Sequence, residues 1–83
     1  MSHDSNLVYV ANQIGKFFAR QPADKAVAAI VDHLFKYWDP RMRKAIVAHL
    51  EQHAGAGLDP NALAAVEKVR ERDRQKQLAA AQR

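Results

Sequence analysis

The segment Tyr37-Trp38-Asp39-Pro40-Arg41-Met42-Arg43 is predicted to end one helix and begin the next. A carboxylate in the position of Asp39 accepts a hydrogen bond from an early helical N–H, and a proline needs no backbone donor at the first helical position. The same pair of residues returns at Asp59-Pro60. The two Asp-Pro pairs therefore predict that a third and a fourth helix begin at Pro40 and Pro60.

Upstream of this corner, apolar residues recur at the three-and-four spacing of amphipathic helices. A second helix, starting at Pro22 and ending near Tyr37 or Trp38, carries an apolar stripe of Val27, Ile30, Val31, Leu34, Phe35 and Trp38. On its solvent side, Asp32 and Lys36 form an i,i+4 pair. A first helix, from Ser5 to Ala19, carries a stripe of Leu7, Val10, Ala11, Ile14, Phe17 and Phe18, and its outer face carries Asn12, Gln13 and Lys16.

Downstream, the pattern continues through two further helices and then stops. The third, about Pro40 to His53, has Met42, Ile46 and Leu50 on one face, and the glycines of Gly55-Ala56-Gly57 end it. The fourth carries Ala62, Leu63, Val66 and Val69, but after Arg70 the stripe gives way to charged residues. The sequence predicts an all-α fold, a small single-domain bundle of three to four short helices with a charged C-terminal helical extension. Its parts are a flexible N-terminus (1–5), a helical domain (6–70) and a charged, frayed tail (71–83).

Length and composition limit the classes of protein that this chain can form. A chain of 83 residues without cysteine builds one domain with a thin core, which packing or a partner must stabilise. Its spare apolar surface also predicts that the isolated chain can form a homo-oligomer. The lack of cysteine, with no signal-peptide pattern at the amino terminus, predicts a cytoplasmic protein. Charged residues interrupt every apolar run well before the roughly 18 to 20 residues that span a membrane, so no membrane segment is expected.

The residue types needed for chemistry are sparse. His49 and His53 have the i,i+4 spacing that can present two nitrogens to one ion, but a third ligand and its supporting residues are missing from the pattern. No nucleophile or acid-base pair has a recognisable arrangement, and short helices enclose little of a pocket. We therefore expect no catalytic, cofactor-binding or metal-binding residue in this chain.

The charge distribution leaves one alternative function open. The net charge is +4, but acidic and basic residues alternate from Glu67 to Lys76, as they do on a solvated helix face. This alternation, without a groove-reading motif, argues against nucleic acid as the partner. The alternative is a free-standing, homo-oligomeric helical protein whose basic tail binds an acidic partner or nucleic acid.

The corner itself allows two interpretations. Trp38 can close the core where the chain turns, or it can lie exposed between Arg41 and Arg43 as a docking patch, because Trp and Arg are enriched at binding hot spots. Arg41 and Arg43 fall on different sides of the third helix, and neither is expected to be needed for folding.

Three segments together resemble a known family. They are Asn12-Gln13-Ile14-Gly15 with Phe17-Phe18, then Ala26 to His33, and then Phe35 to Arg43 with its specific Trp-Asp-Pro-Arg-Met-Arg string. In order and spacing, and with the turn at Gly57 to Pro60, they resemble the delta subunit of molybdenum-dependent, NAD-linked formate dehydrogenases over roughly residues 10 to 70. The charged tail lies outside the resemblance.

The resemblance implies a non-catalytic accessory subunit of a cytoplasmic complex that oxidises formate and reduces NAD. The molybdenum cofactor, iron-sulfur clusters and FMN would be held by larger subunits, and this chain would bind the catalytic alpha subunit to aid assembly, cofactor maturation or stability. Combined with the residue types, it predicts a partner interface made by Asn12, Gln13, Lys16, His33, Trp38, Arg41 and Arg43.

Overall fold

The computed structural model describes residues 3–81, with side chains from Asn6 onward, and contains four helices. They are α1 (His3–Phe17), α2 (Ala23–Tyr37), α3 (Pro40–His53) and α4 (Pro60–Ala81). No strand occurs between residues 3 and 81, so the predicted all-α fold is confirmed. Within the same residues, no helix combines the length and the apolar character that crossing a membrane requires.

The helix starts follow the local chemistry of the sequence. Asp39 has an extended backbone, and its Oδ1 accepts a hydrogen bond from the Met42 N–H at 2.9 Å. The predicted starts at Pro40 and Pro60 are confirmed. The second helix begins one residue later than predicted, because Pro22 has a ψ of 149° and is the last residue before the helix.

The first helix is placed two residues earlier than the sequence predicts. It begins at His3, inside the segment predicted as a flexible N-terminus, and ends at Phe17 rather than Ala19. Residues 18–20 form a turn that leads into α2. Met1 and Ser2 lie outside the described residues.

The core lies where α4 packs against the other three helices, most extensively against α2. The largest fully buried side chains come from α2, α3 and α4 and are Ile30, Leu34, Ile46, Val66 and Val69. The prediction that Phe17 of α1 lies on the core side is wrong, because its side chain is 80% exposed. Successive helical residues point about 100° apart, and only Phe18 of the pair Phe17-Phe18 turns toward the core.

The connection from α3 to α4 is a tight loop of backbone hydrogen bonds. Ala54 adopts a left-handed conformation with φ of 55°, and the N–H groups of Ala54 and Gly55 both donate to the His49 carbonyl. The Leu58 N–H then donates to the Gly55 carbonyl at 3.0 Å. The left-handed turn thus starts one residue before the glycines that predicted it, and Gly55 and Gly57 continue it with φ of 71° and 87°.

The charged extension is helical as far as Ala81, and most of its side chains after Arg70 are exposed. One of them reaches back to the domain, since the Arg72 guanidinium lies 4.2 Å from the ring centroid of Phe35 on α2. The fraying of these last turns in solution stays a prediction.

Candidate partner-binding surfaces

The corner between α2 and α3 closes the core. Trp38 is 6% exposed and belongs to the same buried cluster as Leu34 and Ile46. Its backbone N–H donates to the Leu34 carbonyl and so completes the last turn of α2. The structure therefore agrees with the first interpretation of Trp38, in which its ring closes the core at the corner. Contact between this ring and a partner stays a prediction, and it would require the corner to open.

Arg43 has a structural role that the sequence did not predict. Its Nη1 donates to the carbonyl of Trp38, and at 3.5 Å also to that of Leu34. The Trp38 carbonyl follows the last helical N–H donor, and carbonyl groups at a helix C-terminus carry the negative end of the helix dipole, so a guanidinium there caps α2. The same guanidinium lies 4.7 Å from the ring centroid of Phe35. Arg41, in contrast, is exposed.

Asn12 joins α1 to the loop between α3 and α4. Its Nδ2 donates to the Gly57 carbonyl at 2.9 Å, and its Oδ1 accepts from the Asp59 N–H at 2.8 Å. The prediction that Asn12 faces solvent with Gln13 and Lys16 is therefore wrong for Asn12, which is half-buried, although the other two are exposed. One amide side chain satisfies an acceptor and a donor of a distant loop.

We expect Asn12→Ala to lower the free energy of unfolding by about 1–2 kcal/mol, because it removes two hydrogen bonds that each contribute roughly 0.5–1 kcal/mol more than the bonds to water that replace them. Urea unfolding followed by circular dichroism measures the change. Gln13→Ala, on the exposed neighbour, is the matched control and should stay within about 0.5 kcal/mol of the parent chain. Equal midpoints for the two variants would show that the Asn12 contacts add nothing to stability.

Four aromatic rings form a continuous surface across the ends of α1 and α2, which we name the aromatic patch (Phe17, Phe18, His33 and Tyr37). The Phe17 and Phe18 centroids are 5.0 Å apart, and those of Phe18 and His33 are 6.2 Å apart, both pairs edge to face. The His33 and Tyr37 rings are 4.6 Å apart. These separations are typical of aromatic pairs that contact each other.

The aromatic patch is open to solvent at both ends, since Phe17 is 80% and Tyr37 is 71% exposed. Each of them precedes a second aromatic residue that is turned inward, Phe18 and Trp38. Two successive aromatic residues at a helix end cannot both face the core, and this spacing is the signal from which the patch could have been predicted. The sequence predicts His33 at the interface, whereas Phe17, Phe18 and Tyr37 are not among the predicted interface residues.

The aromatic patch and the corner both lie within a segment that matches a known family. The family model described as NADH-dependent formate dehydrogenase delta subunit, FdsD, matches residues 6–66. The chain belongs to this family. The match runs from α1 into α4 and confirms the resemblance drawn from the sequence. Comparison with curated proteins and with solved structures gives no match.

In this delta-subunit family member, His49 and His53 have different surroundings and do not face a common ion. His49 is buried, and its Nε2 lies 2.7 Å from the Ala56 carbonyl, which only accepts, so Nε2 carries the hydrogen. Nδ1 of His49 is buried without a partner, whereas His53 is exposed. Among the side chains of residues 6–81, no three His, Cys, Asp or Glu form a group that could hold an ion. The chain also has no cysteine, so it lacks the thiolates that bind an iron-sulfur cluster.

The residues predicted as the delta subunit's interface lie on several elements of the fold. Trp38 and Arg43 meet at the corner, His33 belongs to the aromatic patch, and Asn12 contacts the loop. The remaining ones, all exposed, are Gln13 and Lys16 on α1 and Arg41 on α3. Contact of any of the seven predicted residues with a partner stays a prediction.

Proposed function

We propose that this member of the formate dehydrogenase delta-subunit family is a non-catalytic accessory subunit of a cytoplasmic, NAD-linked complex. It binds the molybdenum-containing catalytic alpha subunit, while the molybdenum cofactor, the iron-sulfur clusters and FMN are held by the larger subunits. Family membership supports the complex, and the lack of thiolate ligands in this chain supports the placement of the clusters elsewhere.

The observation that carries the docking part of this proposal is the exposure of the aromatic patch. A small monomer gains nothing in its own fold from leaving most of Phe17 and Tyr37 in water. An aromatic side chain can remove about 150–250 Å² from water when it is covered, and tyrosine is among the residue types enriched at binding hot spots. The aromatic patch is therefore the surface that docks on the alpha subunit.

Residues around the aromatic patch suit the rim of such an interface. Asp32 and Lys36 on α2 form an exposed ion pair at 3.2 Å, as the sequence predicted, directly beside His33 and Tyr37 in the chain. Lys16 precedes Phe17 and is exposed. A ring of polar groups around an apolar centre is the usual anatomy of a protein interface. His33 and Lys16 thus keep a contact role in the proposal, and so does Gln13, which is exposed and lies one helical turn before Phe17 on α1.

Docking of this kind aids the enzyme by mass action. A subunit that binds only the folded, cofactor-loaded alpha subunit stabilises that form, by about 2.7 kcal/mol when its free concentration is a hundred times Kd. This stabilisation favours cofactor retention and slows unfolding, and it requires no catalytic group in the delta subunit.

The test of the docking surface is a titration of purified alpha subunit with this chain by isothermal calorimetry. We expect Phe17→Ala/Tyr37→Ala to weaken binding by about a hundredfold, because two hot-spot side chains are lost. Both residues are exposed, so the fold of the variant should remain intact. Tyr9→Ala is the matched control, since Tyr9 is 63% exposed but lies outside the aromatic patch, and it should bind like the parent chain.

Two outcomes would contradict the proposal. Unchanged affinity of the double variant would remove the aromatic patch as the docking surface. An alpha subunit that acquires the same molybdenum content and melts at the same temperature with and without this chain would remove the accessory role. A dimer of the isolated chain that is lost in the double variant would instead show that the aromatic patch joins two copies.

A further inference from the structure

A groove of about 540 Å³ runs between α3 and the second half of α4. Cationic side chains dominate its walls, with Arg43 and Lys44 from α3 and Arg70, Arg74 and Lys76 from α4. Two carboxylates, Glu51 and Asp73, also line it. The walls therefore carry a net positive charge, which attracts anions to the groove.

The cations of this groove are not neutralised within the domain. Among the side chains of residues 6–81, the ion pair with a separation under 4.0 Å is the one between Asp32 and Lys36 on α2, outside the groove. Neither Glu51 nor Asp73 is that close to a groove cation. In addition, Nε of Arg70 is buried and has no hydrogen-bond partner. The domain itself therefore leaves part of the donor capacity of the Arg70 guanidinium unused.

We propose that this cationic groove binds an acidic segment, rich in Asp and Glu, of a protein partner. Carboxylates are the complement of arginines and lysines, and a guanidinium can bind a carboxylate through two parallel hydrogen bonds. Nucleic acid is disfavoured because the guanidinium groups of Arg43 and Arg72 lie over the ring of Phe35 beside the groove and compete with a base for stacking on it.

The groove is separate from the aromatic patch. Its walls are α3 and α4, whereas the patch lies on the ends of α1 and α2. The α4 wall, from Arg70 to Gln77, also lies beyond the family match, which ends at residue 66. The inference goes beyond the proposed function and does not rest on it, because it can be tested on the isolated chain.

The experiment is a fluorescence-anisotropy titration of fluorescein-labelled decaglutamate with the full chain at low ionic strength. We expect saturable binding that weakens as salt is added. The variant Lys44→Gln/Arg74→Gln/Lys76→Gln removes three exposed cations from the walls and should bind about tenfold more weakly, from the usual strength of three such contacts. The matched control, Arg20→Gln/Lys25→Gln/Lys68→Gln, removes three exposed cations outside the groove and should stay within about threefold of the parent chain.

Three results would overturn the inference. One is the absence of saturable binding by the parent chain. Another is an equal loss of affinity in the two triple variants, which would reduce the effect to net charge. The third is tighter binding of labelled oligo-dT than of decaglutamate, with the same dependence on the groove cations, which would make nucleic acid the occupant. Circular dichroism of each variant establishes that affinities are compared between folded chains.

Discussion

Replacing Trp38 with alanine is expected to lower the free energy of unfolding by about 3–5 kcal/mol, the range for removal of a buried aromatic side chain. The ring is 6% exposed and packs in the cluster that also contains Leu34 and Ile46, so its removal leaves a cavity at the corner. Small domains unfold with a free energy of about 5–15 kcal/mol in total. The variant therefore loses a large share of its stability, measured by urea unfolding with circular dichroism.

The neighbouring residue is the matched control for Trp38. Tyr37 is 71% exposed, and Tyr37→Ala should change the free energy of unfolding by no more than about 0.5 kcal/mol while it weakens docking on the alpha subunit. The opposite result would make the corner the docking patch. In that case Trp38→Ala would have the same free energy of unfolding as the parent chain, and Tyr37→Ala would bind the alpha subunit with the same affinity as the parent chain. Two adjacent aromatic residues are thus expected to differ in the property that each supports.

The helix starts could be predicted because their chemistry is local. An aspartate followed by a proline satisfies an early helical N–H and fixes the first helical φ within a few residues, and Asp39 does so through Met42. The stripe of α2 was predictable for the same reason, since its period is a property of one helix alone. The family could be recognised because the corner string lies on these predictable elements.

The contacts that a linear pattern could not give join residues far apart in the chain. Asn12 and Gly57 are 45 positions apart, and nothing near Asn12 indicates that a loop will pass beside it. The cap that Arg43 places on α2 depends on the angle of the corner, which the residue types do not fix. Both side chains were predicted to bind a partner, because the sequence offered no internal partner for either.

The aromatic patch was missed for a related reason. Periodicity identifies the apolar side of a helix, but it does not show how far the neighbouring helices cover that side. Phe17 lies at the edge of its stripe and at the last residue of α1, where no neighbour covers it. Tryptophan is enriched at binding hot spots, but residue type does not determine exposure, and exposure decides whether a side chain such as Trp38 can dock.

Replacing Gly55 with alanine is expected to lower the free energy of unfolding by about 2–4 kcal/mol, from left-handed strain together with overpacking. Gly55 has φ of 71° and is buried in the loop between α3 and α4. A Cβ atom there would lie 2.5 Å from Cδ1 of Leu63 and 3.3 Å from Cδ1 of Leu50. Both leucine side chains pack in or against the core, so the loop must shift to make room for the methyl group.

A second buried glycine provides the control, with the opposite sign. Gly15 is helical, and a Cβ atom there would lie 3.8 Å from Cδ1 of Ile30 and 3.9 Å from Cβ of Ala62, which are ordinary contacts. Gly15→Ala should therefore raise the free energy of unfolding by about 0.5–1 kcal/mol, because alanine loses less backbone entropy in a helix. Thermal melts of the two variants, followed at the same concentration, should shift in opposite directions. If Gly55→Ala melted at or above the melting temperature of the parent chain, Gly55 would not have the left-handed conformation and the close contact with Leu63 that this structure shows.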